Sequence, residues 1–209
     1  MKYEARKMIR KSRYIDYFNT LDDSLKKQII GRINQLIIEE NKYCDNGNYD
    51  HLCNIFSAIA IYETLQNNGY SEAEAFDITG NEMYRYIQRK KELFQKLSLR
   101  KWFWSVMKII VPIGFRLGSG TGWKFKWFKS NNSNEYYFET HECIYQKIFK
   151  DRNLVKLGPM FCKCDIINYG ELNNIDFIRK GTLCYGDDKC DFKFVKYKNG
   201  ELLERTNSR

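Results

Sequence analysis

Five of the seven cysteines and one of the two histidines fall in the stretch from His141 to Asp191, together with Asp165. Thiols, imidazoles and carboxylates are the groups that act as nucleophiles, proton carriers and metal ligands. Cys162 and Asp165 are three apart, so a helix would set them on one face. A thiolate needs a nearby base or cation to lower its pKa, and His141 can serve Cys143 or Cys162 if the fold brings them together. Taken singly, a cysteine is more often a small buried filler than a nucleophile. The argument therefore rests on the clustering. Structural zinc is not expected, because Cys162-x-Cys164 and the pair Cys184 and Cys190 lack the close Cys-x-x-Cys spacing of such sites.

Strand alternation separates the last members of the group. In the strand that begins at Cys190, the side chains of Cys190, Phe192 and Phe194 share one face, and Asp191, Lys193 and Val195 the other. Two phenylalanines mark the first face as core, so Cys190 is expected to be structural and to point inward. Asp191 is expected on the opposite face, tying down the preceding loop through backbone amides.

The elements that must position these groups read as helices first and strands later. Asp22, Asp23 and Ser24 offer a helix start ahead of Leu25, Ile29, Ile33 and Leu36 at helical spacing. A further helix carries Leu52, Ile55, Phe56 and Ile59 and stops at Asn67-Asn68-Gly69. Ser71 and Glu74 form a capping box for a helix through Phe76, Met83, Ile87 and Phe94. Lys101 to Phe115 is a basic, tryptophan-rich amphipathic helix, expected to cover the core or to lie on a membrane surface, with Pro112 kinking or ending it. Beyond Gly118 the texture changes. Trp123, Phe125 and Trp127 alternate with lysines as a half-buried strand, and Tyr136 to Thr140 is a second strand. Short helices are expected at Cys143 to Phe149 and after Pro159. Ile175 to Arg179, Thr182 to Cys184 and Cys190 to Tyr197 read as strands. The expectation is an α+β fold with a helical N-terminal half packed on a small, mostly antiparallel C-terminal sheet. It is expected to be one domain over 1–209, with a helical layer at 1–117, an α+β part at 118–197 and a polar tail at 198–209.

The bulk properties bound the function. Hydrophobic residues make up 43% and charged residues 29%, which is globular and not disordered. The net charge of +9 is scattered and no nucleic-acid motif accompanies it, so no nucleic-acid partner is expected. The glycine-rich run Gly118 to Gly122 lacks the ending of a phosphate loop. No transmembrane segment is expected, since the apolar stretch Trp102 to Phe115 is too short and Lys108 interrupts it. An odd cysteine count and a basic start at Met1 to Lys11 with no apolar run behind it point to reduced thiols in a cytoplasm. A homo-oligomer is compatible with the sequence.

The ordered set Gly122-Trp123, Cys143, Cys162-x-x-Asp165, Arg179-x-x-Thr182-Leu183-x-x-Gly186 and Cys190-Asp191-Phe192-x-Phe194 resembles the L-2-amino-thiazoline-4-carboxylic acid hydrolase family. The segment Gly69-Tyr70-Ser71-Glu72-Ala73-Glu74-Ala75 is similar to that family's helical half. The resemblance implies a small-molecule substrate, a thiazoline-type cyclic amidine opened to an N-carbamoyl amino acid. It implies Cys162 or a bound water as the attacking group, with Asp165 orienting or accepting a proton and His141 shuttling it. Arg179 would hold the substrate carboxylate, and Cys143 and Trp123 would line the pocket. A divalent metal, manganese or zinc, with Asp165 among its ligands, is the alternative means of polarising the amidine. The ending Cys184-x-Gly186-Asp187-x-x-Cys190-x-Phe192 also resembles four-vinyl-reductase domains, which implies a ligand-binding module without catalysis.

Overall fold

The computed structural model describes residues 3–197. These form eight α-helices and a four-stranded antiparallel sheet, an α+β fold with the helices mostly ahead of the strands. The chain divides into two compact units: one runs to Tyr86 and takes in Arg116–Thr121, and the other holds Ile87–Phe115 and the described residues from Gly122 onward. The polar tail expected at 198–209 lies outside the described residues.

The first unit is helical: α1 (Ala5–Lys11), α2 (Ile15–Thr20), α3 (Asp23–Glu39), α4 (Tyr49–Asn67) and the start of α5 (Glu72–Ser98). Helix starts follow the local chemistry. The Asp22 carboxylate accepts from the Leu25 amide at 2.9 Å. At α5, Ser71 and Glu74 bond reciprocally: the Ser71 amide donates to Glu74 Oε2 at 2.8 Å, and the Glu74 amide to Ser71 Oγ at 3.3 Å. Helix α4 ends where Gly69 turns to φ 91°, which lets the Tyr70 amide reach back to the Leu65 carbonyl at 3.2 Å. Leu52, Ile55, Phe56 and Ile59 of α4 are fully buried, and the helix packs against α1 and α3. Asn48, also fully buried, holds the loop ahead of α4. Its amide donates to the carbonyls of Tyr43 (3.0 Å) and Thr121 (2.9 Å), and its Oδ1 accepts from the Gly120 amide at 3.0 Å.

The second unit contains the sheet: β1 (Lys124–Phe128), β2 (Glu135–Glu142), β3 (Ile175–Ile178) and β4 (Cys190–Lys196), in the order β1-β2-β4-β3. One face is a continuous aromatic surface. Trp127 stacks on Phe138 at 4.6 Å, Phe138 on Phe192 at 4.7 Å, and Phe177 leans on Phe194 at 5.0 Å. Helix α6 (Phe103–Gly118) covers the β1–β2 end through Phe115, whose ring meets Phe125 and Phe138 edge-on at 5.1 Å each. Helix α8 (Gly158–Tyr169) covers the other end through Tyr169, 5.6 Å from both Phe177 and Phe194. Helix α7 (Ile144–Asp151) packs against α8.

Two local expectations change. Thr182 to Cys184 is not a strand: Leu183–Tyr185 is a 3-10 turn closed by Gly186 at φ 94°, and the Asp187 carboxylate binds the Thr182 amide at 2.7 Å. A carboxylate that satisfies the loop's amide takes the place of a sheet partner. Pro112 does not end α6, which continues to Gly118. Its cost is local, one backbone hydrogen bond, and the packing of Phe115 beyond it holds the helix on the sheet. No helix among the described residues is long and apolar enough to cross a membrane.

Because the buried Asn48 side chain bonds three backbone groups, one of them fully buried, Asn48→Ala is expected to destabilise the chain by about 1–3 kcal/mol. Urea denaturation of the two proteins measures this directly.

Candidate functional site

Cys162 lies on the second turn of α8, nearly buried, with its sulfur turned towards the loop that follows β3. Three cysteines meet here. The Cys184 thiol, in the 3-10 turn, hydrogen-bonds to both Cys162 and Cys143. Cys143 is the residue that opens α7. Gly158, at the start of α8, makes room for this: a Cβ there would stand 2.9 Å from the Cys184 sulfur. The Thr182 hydroxyl, itself buried, adds a second donor 3.5 Å from the Cys162 sulfur.

These donors decide which thiol ionises. The Cys184 hydrogen bond pulls the Cys162 pKa down, burial opposes it, and the Thr182 hydroxyl and the Arg179 charge add to the lowering. The net direction is below an ordinary thiol. Cys184 moves the other way, because its hydrogen bonds with Cys143 and Cys162 favour its protonated form and burial desolvates it. Cys190 is also pushed up, by burial. It lies in the aromatic core with its sulfur accepting the Leu183 amide at 3.3 Å. A thiol and a hydroxyl beside one cysteine sulfur favour its ionised form, as the activation of a nucleophile requires.

Asp165 follows Cys162 by one turn, and Arg179 joins the two. Arg179 is almost fully buried at the end of β3. Its Nη1 donates to Asp165 Oδ2 at 3.0 Å and its Nη2 to the Cys162 carbonyl at 2.9 Å, while Nε has no hydrogen-bond partner. The guanidinium stands 5.8 Å from the Phe177 ring. The fork expected to clamp a substrate carboxylate therefore holds α8 instead, with both terminal nitrogens committed to protein.

Trp123 is partly buried beside this region. It stacks on Phe125 at 5.4 Å and meets Tyr145 edge-on at 6.0 Å, and Tyr145 packs on Phe161, the neighbour of Cys162, at 4.7 Å. Flat rings thus pack in a row from β1 to the start of α8.

His141 is not part of this group. The pairing Thr140↔Cys190 places Thr140 on the aromatic face with Cys190, so His141 and Glu139 project from the other face. There His141 Nε2 is 2.9 Å from Glu139 Oε2, and Lys189 and Tyr137 also bond the Glu139 carboxylate. The expectation that His141 converges with Cys162 is corrected: the imidazole is held by Glu139 of the outer face. Burial pushes the Glu139 pKa up, but the hydrogen bonds from Lys189, Tyr137 and His141 outweigh it and hold the group at about 2. The same face carries an open cleft of about 750 Å³ lined by Tyr137, Ile178, Lys180, Asp191 and Lys193 among others. It contains no thiol. Asp191 is spent on the loop, accepting the amides of Lys180 at 2.9 Å and Gly181 at 2.7 Å.

Cys184, Thr182 and Glu139 were not among the residues singled out for chemistry. The alternation argument applied to Cys190 would have found Glu139 if extended to β2. Nothing local marks Thr182, whose role depends on a turn that brings it over α8. Among the described residues no three His, Cys, Asp or Glu side chains group as metal ligands.

Within this α+β scaffold the buried Cys162 thiol, the Arg179–Asp165 ion pair one turn away and the neighbouring rings make up the candidate site. The sequence profile of L-2-amino-thiazoline-4-carboxylic acid hydrolase matches residues 51–194, and the chain belongs to that family. The match spans the thiol trio, Asp165 and Arg179. A likeness to four-vinyl-reductase domains is not shown. No curated protein and no solved structure matches the chain.

Two measurements test this electrostatic account. Alkylation of Cys162 by iodoacetamide, followed by peptide mass spectrometry across pH, is expected to have its midpoint below that of an ordinary thiol; Cys184→Ala and Thr182→Val each move it up. For Glu139, a folded pKa of about 2 against an ordinary 4.5 means a stabilising contribution that is complete above pH 4.5. It is lost as the pH falls through about 2. Thermal melts at pH 7 and at low pH are therefore expected to differ less in Glu139→Gln than in the parent protein.

Proposed function

We propose that the chain hydrolyses a small cyclic amidine of the 2-amino-thiazoline-4-carboxylate type, with Cys162 as nucleophile. The observation that carries this is the placement of the Cys162 sulfur 3.5 Å from the Thr182 hydroxyl, with Arg179 tying Asp165 to the same turn of α8, in a chain of this family. The Cys162 sulfur adds to the ring carbon that bears the amino group. The bond from that carbon to the ring sulfur then breaks, and the departing sulfur takes a proton from water. The product of this half is an amidine carbon held on Cys162. Water, oriented by the Asp165 carboxylate, attacks that carbon, and Cys162 leaves as thiolate. The sum is substrate plus one water giving an N-carbamoyl amino acid with a free thiol.

Each residue has a physical reason for its part. Cys184 remains a thiol and returns its hydrogen bond to Cys162 when that sulfur leaves, so the leaving thiolate is stabilised. Arg179 positions the site: it anchors the Cys162 carbonyl and the Asp165 carboxylate at once. Trp123 and Tyr145 provide flat apolar walls for a planar ring. His141, on the other sheet face, has no part in proton transfer.

Incubating the protein with 2-amino-thiazoline-4-carboxylate and following thiol release is the test, run with chelator, with Mn²⁺ and with Zn²⁺. Cys162→Ala is expected to lose at least about 10³-fold in kcat/KM and Asp165→Asn roughly 10-fold to 10²-fold, with His141→Gln within about 3-fold of the parent. Saturable binding without turnover, or full activity in Cys162→Ala, would overturn the proposal.

A further inference from the structure

We propose that the outer face of α6 rests on an anionic membrane surface, holding the protein there without crossing it. The inference is independent of the proposed hydrolysis. Helix α6 is apolar on more than the side that the core uses. Phe103, Trp104 and Met107 are buried and Phe115 packs on the sheet. Trp102, Ile109, Ile110 and Ile113 point the other way and are 51%, 61%, 60% and 51% exposed. Spacings of seven from Trp102 to Ile109 and of four from Ile109 to Ile113 put these three on one line along the helix, with Ile110 beside it. A large, contiguous apolar stripe left in water costs free energy unless something covers it.

The surrounding charge identifies what covers it. From Leu93 to Asn134 the chain has eight lysines and arginines and no aspartate or glutamate. Arg100, Lys101 and Arg116 flank the stripe in sequence, and Lys108 reaches past the helix to the Ser133 carbonyl at 3.0 Å. A second copy of the same face would bring like charges together on contact. Anionic lipid headgroups complement them, while the isoleucines and Trp102 enter the boundary of the acyl region. The helix is 16 residues long, about 24 Å at 1.5 Å per residue, short of the roughly 30 Å of a bilayer core. Lying in the interface is the geometry that its length allows.

The experiment is co-sedimentation of the full chain with phosphatidylcholine vesicles, plain or carrying about 30% phosphatidylglycerol. Binding to the anionic vesicles is expected to exceed that to neutral ones by about 10-fold and to fall steeply with salt. The double variant Ile109→Ser, Ile113→Ser and the double variant Arg100→Glu, Lys101→Glu are each expected to lose about 10-fold, with unchanged far-ultraviolet circular dichroism. The two variants act through different terms, so failure of one to fold leaves the other to decide. Absence of binding to anionic vesicles would overturn the proposal. So would undiminished binding by both variants, or self-association in sedimentation velocity that the serine variant abolishes.

Discussion

A buried guanidinium holds the candidate site together. Arg179 cannot be deprotonated at any ordinary pH, so its charge inside the second unit must be met by protein. It is met twice on one helix, by a backbone carbonyl and by a carboxylate one turn further along. This fixes α8 against the end of β3 in rotation as well as in distance, since a planar fork accepts only one arrangement of two acceptors. With α8 fixed, the Cys162 sulfur is fixed, and with it the approach of the Thr182 hydroxyl and the Cys184 thiol. An ion pair this buried adds little net stability of its own, because desolvation consumes most of the attraction. Its value is in positioning.

The sheet then sorts the chemistry by face. Aromatic rings cover the inner face from Trp127 across Phe138 and Phe192 to Phe177, and the thiols gather where α7, α8 and the turn after β3 close over one end of it. The outer face carries the Glu139 network and the open cleft. A polar group placed on the inner face loses its water: the Tyr136 hydroxyl there is buried without a hydrogen-bond partner, and burial pushes its pKa up. His141, at the irregularity in the β1–β2 register, stays on the outer face through its contact with Glu139.

Much of the fold is legible because its signals are local. The Asp22 cap, the Ser71–Glu74 box and the Asn67-Asn68-Gly69 stop depend on residues within five positions, and alternation from Cys190 to Phe194 assigns inner and outer faces without knowing the neighbours. The site is legible only in part, because its contacts are long in sequence. Cys162 and Asp165 could be placed on one helical face. The identity of the group that activates Cys162 could not, since Thr182 lies 20 residues away on a turn. The error over His141 has the same origin. Proximity in sequence to Cys143 suggested proximity in space, and the contact with Glu139 holds the imidazole on the outer face. Arg179 illustrates the remaining ambiguity: its type fits a carboxylate, and only the fold says that the carboxylate is Asp165.

The thiol trio also explains why a histidine is not needed. A cysteine can be activated by lowering its pKa through hydrogen bonds to the thiolate, without a base to remove the proton in the reaction itself. Two groups at Cys162, the Cys184 thiol and the Thr182 hydroxyl, favour the charged sulfur, while hydrogen bonding and burial both favour the protonated form of Cys184. A base would be idle in the first step and, at the distance of the opposite sheet face, unreachable in the second. In the proposed hydrolysis what remains to be supplied is a water held at the amidine carbon, and the carboxylate that Arg179 fixes one turn from Cys162 is the group proposed to orient it.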